Sequence, residues 1–310
     1  MSRTRRLLAV CLVLATILAA CGGGGTGAPG ATTAGKQLPG VTIGSFNFTE
    51  SVILGEVYGL ALEDAGFKYT HRSKLGNREI VFPALEKGEI EIVPEYLATS
   101  LAFVTKASAK IGDPATAYRQ YQEALRPKSI TALDFANAID TNAFVVTKAT
   151  ADKHKLRKMS DLAAVAGQLT LGAPPECPQR PFCLQGLKDT YGITFKEFKP
   201  LDAGGPLTVA AVQAGQVDVG LLFSTDGRIA ANGFVLLEDD KKLQAADNVV
   251  PVVRNDLLNR AEADLRRVLN GVSAKLTTEA LTDLNRQVDI DKKDAKDVAR
   301  DWLKKQGLIR

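Results

Sequence analysis

The chain has 310 residues, with 39 lysines and arginines against 35 acids and a formal charge of +4. That length is enough for two lobes, and so even a balance excludes a surface built to coat nucleic acid or anionic lipid.

The chain opens with "MSRTRRLLAVCLVLATILAACGGGG", three arginines followed by an apolar run over residues 7–20. A charged head and an apolar body too short for a comfortable membrane span read as an export signal over residues 1–20. Leu18-Ala19-Ala20-Cys21 resembles a bacterial lipobox, which makes Cys21 the lipidated first residue. The alternatives are an ordinary secretory signal with Cys21 incidental, or an uncleaved span. "GGGGTGAPGATTAG" follows at once, and residues 21–39 read as a flexible tether with nothing to bury. Removing the signal takes away Arg3, Arg5 and Arg6 and no acids, leaving a formal charge of +1. Cys11 leaves with the signal. Cys177 and Cys183, in "ECPQRPFC", are expected to close a short disulfide loop in an oxidising compartment. A metal site would need more ligands than these, and the only histidines, His71 and His154, lie far off in sequence; no metal or cofactor is expected.

"VTIGSF" (residues 41–46) reads as a strand, and "ESVILGEVYGLALEDAG" as a helix whose apolar repeats at Ile53, Val57, Leu60 and Ala61 share a face ending at Gly66. A second helix, over residues 78–87, stops at Gly88 and gives way to "EIEIV". Pro94 has no N–H for a ladder and a fixed φ, so the strand is expected to end there, with Glu95 and Tyr96 emerging at the sheet's carboxyl edge. A second set of units begins at "AFVVTK" (residues 143–148) and continues with Ser160 as cap of "SDLAAVAG". It then runs through the strand "LTLGA", a helix over residues 184–191, "ITFKEF", a helix over 207–214, "VDVGLLF" and "FVLLED". "NVVPVV" leads into three largely polar helices that reach Arg310. Alternating strands and helices argue for an α/β protein of two lobes, each a mostly parallel sheet flanked by helices. Crossings near residues 139–142 and 246–251 divide it into lobe 1 (40–140 with 250–310) and lobe 2 (141–249). Ligands in such sheets bind in the crevice at strand carboxyl ends and helix N-termini.

Motifs for catalysis are missing. There is no G-x-S-x-G elbow, no H-E-x-x-H, no phosphate loop and no G-x-G-x-x-G after a strand. "STDG" (residues 224–227) has no base assigned beside it, so it reads as a solvated or ligand-facing turn rather than a catalytic one. "SFNFTES" gathers Ser45, Asn47, Thr49 and Glu50 where the first strand ends, with Asn47 or Thr49 a plausible helix cap. Phe46 faces either the crevice or the core. Tyr96 points either into the crevice or onto the lobe surface with a wet hydroxyl.

Together "IGSFNFTESVILGEVYGLALEDAG", "LGNREIVFPALEKGEIEIVPEYLATSLAF", "LLFSTDGRI" and "LLEDDK" resemble the osmoprotectant-type substrate-binding proteins of ABC importers. That resemblance, from about Val41 to the C-terminus, implies a type II periplasmic-binding-protein fold, an osmolyte as ligand, and a membrane permease and ATPase as partners. It also implies an extracytoplasmic place at the cell membrane, which the anchor at Cys21 would provide; a monomer is expected. The family holds glycine betaine, choline or carnitine in a cage of tyrosines, because an ammonium without N–H groups is held by ring faces, at about 0.5–2 kcal/mol each. Tyr96 matches the tyrosine of the family's P-E-Y-T-G-T and Thr99 its last threonine, while Leu97 and Ala98 depart from it. Asn142 and Phe223 stand where the family has two further tyrosines, and Val209 or Thr208 where it has another. Phe46 stands where many relatives have lysine. The expected contacts are Tyr96, Thr99, Phe223, Asn142, Phe46 and Asn47, with Asp226 a polar contact. Arg180, on the disulfide loop, is either a solvated arginine or a partner for a carboxylate. The thinned cage leaves open a non-quaternary ligand such as a polyol or an aromatic, and outside transport an extracytoplasmic sensor lipoprotein.

Overall fold

The computed structural model describes residues 38–107, 113–244 and 247–310. The expected signal, Cys21 and nearly all of the tether lie outside them. In chain order the elements are β1 (Gly40–Gly44), α1 (Thr49–Asp64), β2 (Lys68–Arg72), α2 (Arg78–Lys87), β3 (Ile92–Tyr96), α3 (Leu97–Thr105), α4 (Pro114–Leu125) and β4 (Ile130–Ala132). There follow β5 (Asn142–Val146), α5 (Lys148–His154), α6 (Met159–Leu162), β6 (Thr170–Ala173), α7 (Leu184–Gly186), β7 (Glu197–Pro200), α8 (Pro206–Gln213), β8 (Val219–Phe223), α9 (Arg228–Ala231) and β9 (Val235–Leu236). The chain ends with β10 (Val249–Arg254), α10 (Asn255–Ser273), α11 (Thr278–Asp289) and α12 (Ala295–Lys305).

Two five-stranded sheets result, ordered β2-β1-β3-β10-β4 and β7-β6-β8-β5-β9. In each, four strands run one way and the fourth in order runs against them: β10 in the first, β5 in the second. Those two strands are the first that the chain makes after passing from one sheet to the other. The passing segments lie side by side, bridged at Ile139 and Asn248, with Asp140 N–H donating to the Asp247 carbonyl at 3.1 Å.

The strand does not end at Pro94. Ile92–Tyr96 is continuous, and Pro94 lies opposite Pro251 in the β3–β10 ladder. A strand residue points its N–H and C=O the same way, and the Pro251 carbonyl accepts from Leu133 N–H, away from β3. The two prolines therefore form a pair in which neither N–H would face the other strand. On the far side of β3, β1 pairs only as far as Ile92, so Pro94 removes no donor that the sheet needs.

Apolar residues surround α1, which is buried at Ile53, Leu54, Val57, Tyr58, Leu60 and Leu62 between the first sheet and α10, α11 and α12. Gly55 and Gly59 let the His71 and Tyr69 rings lie directly on it, since a Cβ there would sit 2.3 Å and 2.4 Å from those rings. Two capping expectations fail. Phe48 occupies the cap position of α1 with no side-chain cap, because the Thr49 hydroxyl bonds Asp289 and Asn47 is exposed. Ser160 lies inside α6 and bonds Asp240, while Asp161 accepts the N–H groups of Arg157 and Lys158 before that helix.

Candidate functional site

Because β10 and β5 run against their neighbours, the starts of these strands share an edge with the ends of β1, β3 and β8. A cavity of about 430 Å³ opens at that edge, lined from both sheets. The β1–α1 loop supplies Phe46, Asn47 and Phe48, the end of β3 Tyr96, the first turn of α3 Thr99, the start of β5 Asn142, and the end of β8 Phe223.

One wall is aromatic. Phe48 lies at its centre, nearly parallel to Phe46 at 5.8 Å between centroids, 5.9 Å from Tyr96 and 5.0 Å from Phe223. Tyr96 is only 5% exposed, and its hydroxyl donates to Glu50 Oε1 at 2.7 Å. Burial, then the charge of Glu50, pushes the phenol well above its ordinary pKa. Glu50 also accepts from the Thr225 hydroxyl and Asn285 Nδ2, both at 2.6 Å, tying α1, β3, the turn after β8 and α11 together. Burial raises the Glu50 carboxyl against the pull of those donors. "STDG" is thus neither solvated nor ligand-facing at Thr225, which is buried in this network.

Charged residues line the cavity as well. Arg78, the first residue of α2, is 9% exposed; its Nε and Nη2 take both oxygens of the fully buried Glu95, and Nη2 also donates to the Thr99 hydroxyl at 3.0 Å. Its guanidinium lies 5.4 Å over the Phe46 ring. Asp247 Oδ1 accepts from Thr99 N–H at 2.9 Å, and burial, only partly opposed by that bond and by Arg78, pushes its carboxyl up to about 6. Asp140, also in the wall, is raised well above the ordinary carboxylate range by burial and then by Glu50.

The predicted Cys177–Cys183 disulfide is present, with 5.3 Å between Cα atoms. Its loop carries Arg180, which is not a solvated side chain: it pairs with Glu79 at 2.9 Å and lies over Phe103. Its buried Nε has no protein partner among the described residues.

Of the expected contacts, Tyr96, Thr99, Phe223, Asn142, Phe46 and Asn47 come together on this cavity. Asp226 does not; it lies outside that wall and is held by Arg228 through Nε at 2.8 Å and Nη2 at 2.7 Å. Thr208 and Val209 are also outside it, with the Thr208 hydroxyl bonded to Asp202. Phe48, Arg78, Asp140 and Asp247 were missed. The spacing F-N-F in an extended loop was a usable signal for Phe48, since alternate residues share a side.

A nucleophile, base and acid do stand in line elsewhere. His71 bonds Glu56 through Nδ1 at 2.7 Å and the Ser45 hydroxyl through Nε2 at 2.9 Å. Ser45 is 0% exposed and outside the cavity wall, so no substrate reaches it. Burial alone would raise Glu56, but the hydrogen bond and charge of His71 outweigh it and hold the carboxyl low. The trio braces β2 against β1 and α1. Replacing His71 with alanine leaves Ser45 and Glu56 without this partner and is expected to cost about 1–3 kcal/mol in urea unfolding.

Residues 39–305 match the OpuAC family, described as the substrate binding domain of ABC-type glycine betaine transport systems. The chain belongs to this family. It is 30% identical to the glycine betaine-binding protein YehZ of Escherichia coli over 87% of this chain and 92% of that one. It is 28% identical to the carnitine transport binding protein OpuCC of Listeria monocytogenes over 89% of each. A solved glycine betaine/carnitine/choline ABC transporter structure is 32% identical and superposes with a TM-score of 0.68, over 86% of this chain and 99% of that one. The two sheets are accordingly the lobes of a type II periplasmic-binding-protein fold. As an OpuAC domain the protein is a substrate-binding component, not an enzyme, and works on the extracytoplasmic side with permease and ATPase subunits.

Proposed function

We propose that this chain, exported and held at the membrane by a lipid on Cys21, captures a quaternary ammonium osmoprotectant between its lobes and delivers it to the permease as a monomer. The ligand class is glycine betaine, choline, carnitine or a related compound, and the lobes are residues 40–140 with 250–310 and residues 141–249. The reading rests on one observation: four rings, Phe46, Phe48, Tyr96 and Phe223, gathered on one wall of the cavity. A trimethylammonium group has no N–H to donate, and ring faces attract it where hydrogen-bond acceptors do not. Phe46 and Phe48 add rings to a cage in which Asn142 stands in place of a tyrosine of the resemblance. Thr99, Asn142 and Asn47 supply polar edges around that wall. The names of the Escherichia coli and Listeria relatives support the same class.

Calorimetry with glycine betaine, choline, carnitine and proline betaine tests it. At least one is expected to bind, and Tyr96→Ala to weaken it about tenfold or more, whereas Tyr96→Phe keeps the ring and most of the affinity. No binding at millimolar concentration of any of the four would remove the osmoprotectant class.

A further inference from the structure

Glu50 and Asp140 are both buried where the two lobes meet, and their carboxyls face one another. Glu50 is held by Tyr96, Thr225 and Asn285, none of them a cation. Asp140 Oδ1 accepts from the Ser224 hydroxyl at 3.0 Å and from Thr225 N–H at 3.1 Å. Two facing carboxylates out of water do not both stay charged, and such a pair settles by keeping one proton between its members.

The charged groups around the pair do not relieve it. On β3, Glu95 is neutralised by Arg78 from α2, and Tyr96 reaches Glu50 only as a neutral phenol. Asp247, on the connection paired with that of Asp140, is a further acid. Asp226, Arg228 and Asp289 share a small cleft with Glu50, and Arg228 is divided between the two aspartates, at 2.7 Å and 3.4 Å. Each of these guanidinium groups already has its acid.

One layer of rings separates the pair from the ligand cavity. Phe48 and Phe223 line both the cavity and the cleft behind it, and Tyr96 lines the cavity while its hydroxyl reaches Glu50. A cation on the cavity side of those rings meets the field of the acids through a layer that holds no water or salt to screen it.

We propose that capture of a quaternary ammonium ligand expels the proton that Glu50 and Asp140 share, so that the pair becomes the counter-charge of the bound cation and capture strengthens as pH rises. The inference rests on the ammonium reading above. Before capture the pair holds one negative charge and one proton; a positive charge across the rings favours the second carboxylate. The proton leaves from Asp140, which lines the cavity, and passes to solvent. With ligand bound, the pair gives up its proton at a lower pH than when the cavity is empty. Between those two values each ligand taken up releases a proton, and affinity climbs with pH.

The test is calorimetry on the detergent-purified full chain with choline and with glycine betaine, in buffers of different ionisation enthalpy, across about pH 5–8. Neither probe titrates there, so any proton exchanged comes from the protein. Choline is expected to release about half a proton or more per site and to bind about tenfold or more tightly at the upper end of the range than at the lower. Glycine betaine, whose carboxylate offsets part of its charge, is expected to release less. Asp247→Asn removes the other buried acid of the cavity wall and is expected to keep most of the release. Asp140→Asn keeps an oxygen for Ser224 and Thr225 but has no proton to lose, and is expected to abolish it. Binding by the wild type or by Asp247→Asn with no proton released by either ligand overturns the proposal and leaves the ammonium reading standing. So does a folded Asp140→Asn variant, judged by its thermal melt, that releases as much as the wild type. A wild type that binds neither probe at any pH in the range overturns both.

Discussion

Replacing Arg78 alone with methionine is expected to cost about 3–5 kcal/mol of stability. Methionine fills much of the same volume, so the loss is not mainly a cavity. What remains is Glu95, fully buried, with a backbone N–H from Tyr96 but without the guanidinium that took both its oxygens. An isolated buried carboxylate costs far more than its ion pair with Arg78 contributes, because desolvation of both charges largely cancels their attraction. Adding Glu95→Leu to Arg78→Met is therefore expected to recover most of the loss, leaving a protein within about 1–2 kcal/mol of the wild type. Urea unfolding of the two single variants and the double variant measures this as a coupling energy. If the second substitution adds to the first instead of relieving it, the Arg78–Glu95 pair stabilises the fold in its own right and the desolvation argument fails.

The order of strands and helices was legible because apolar runs of strand length alternate with helical periodicity and glycines end the helices, as Gly88 does with its positive φ after α2. Pro94 misled because the sequence shows a missing donor but not whether the sheet has a use for one; only the register, which sets Pro94 opposite Pro251, answers that. The two failed caps have one cause. Thr49 and Ser160 found acids distant in sequence, Asp289 and Asp240, and a charge-assisted bond to a carboxylate displaces a local bond to a helix N–H. At the site, Tyr96 and Phe223 at strand ends were found, while Asp140 and Asp247 in the passing segments were not. A polar residue in a connection is read as solvated by default, yet Asp140 and Asp247 are both buried at the crevice because the two connections pair with each other beneath it. Asp226 failed the other way: it stands at a strand end, as a contact should, but Arg228 two residues later claims both its oxygens.

Asp247 makes the second large prediction, and its sign follows from the direction of the shift. Burial holds its carboxyl at about 6 in the folded protein against 3.8 as the ordinary value. Between those values the folded state binds more protons than the unfolded one, so the stability that this proton contributes falls as pH rises through that window and is lost above it. The difference amounts to about 3 kcal/mol at neutral pH. Asp247→Asn keeps an oxygen that can accept from the Thr99 N–H and hydroxyl but never charges. It is expected to match the wild type near pH 4 and to exceed it by up to about 3 kcal/mol at pH 7, as read from urea midpoints across that range. Comparing the variant with the wild type at each pH matters, since Glu50 and Asp140, which are also raised, slope the same way in both proteins. A constant difference across pH would mean that Asp247 is not held up by its burial. A rising difference would mean that the cavity keeps an acid there at the expense of stability, and that the aspartate is retained for what it does to a ligand rather than for the fold.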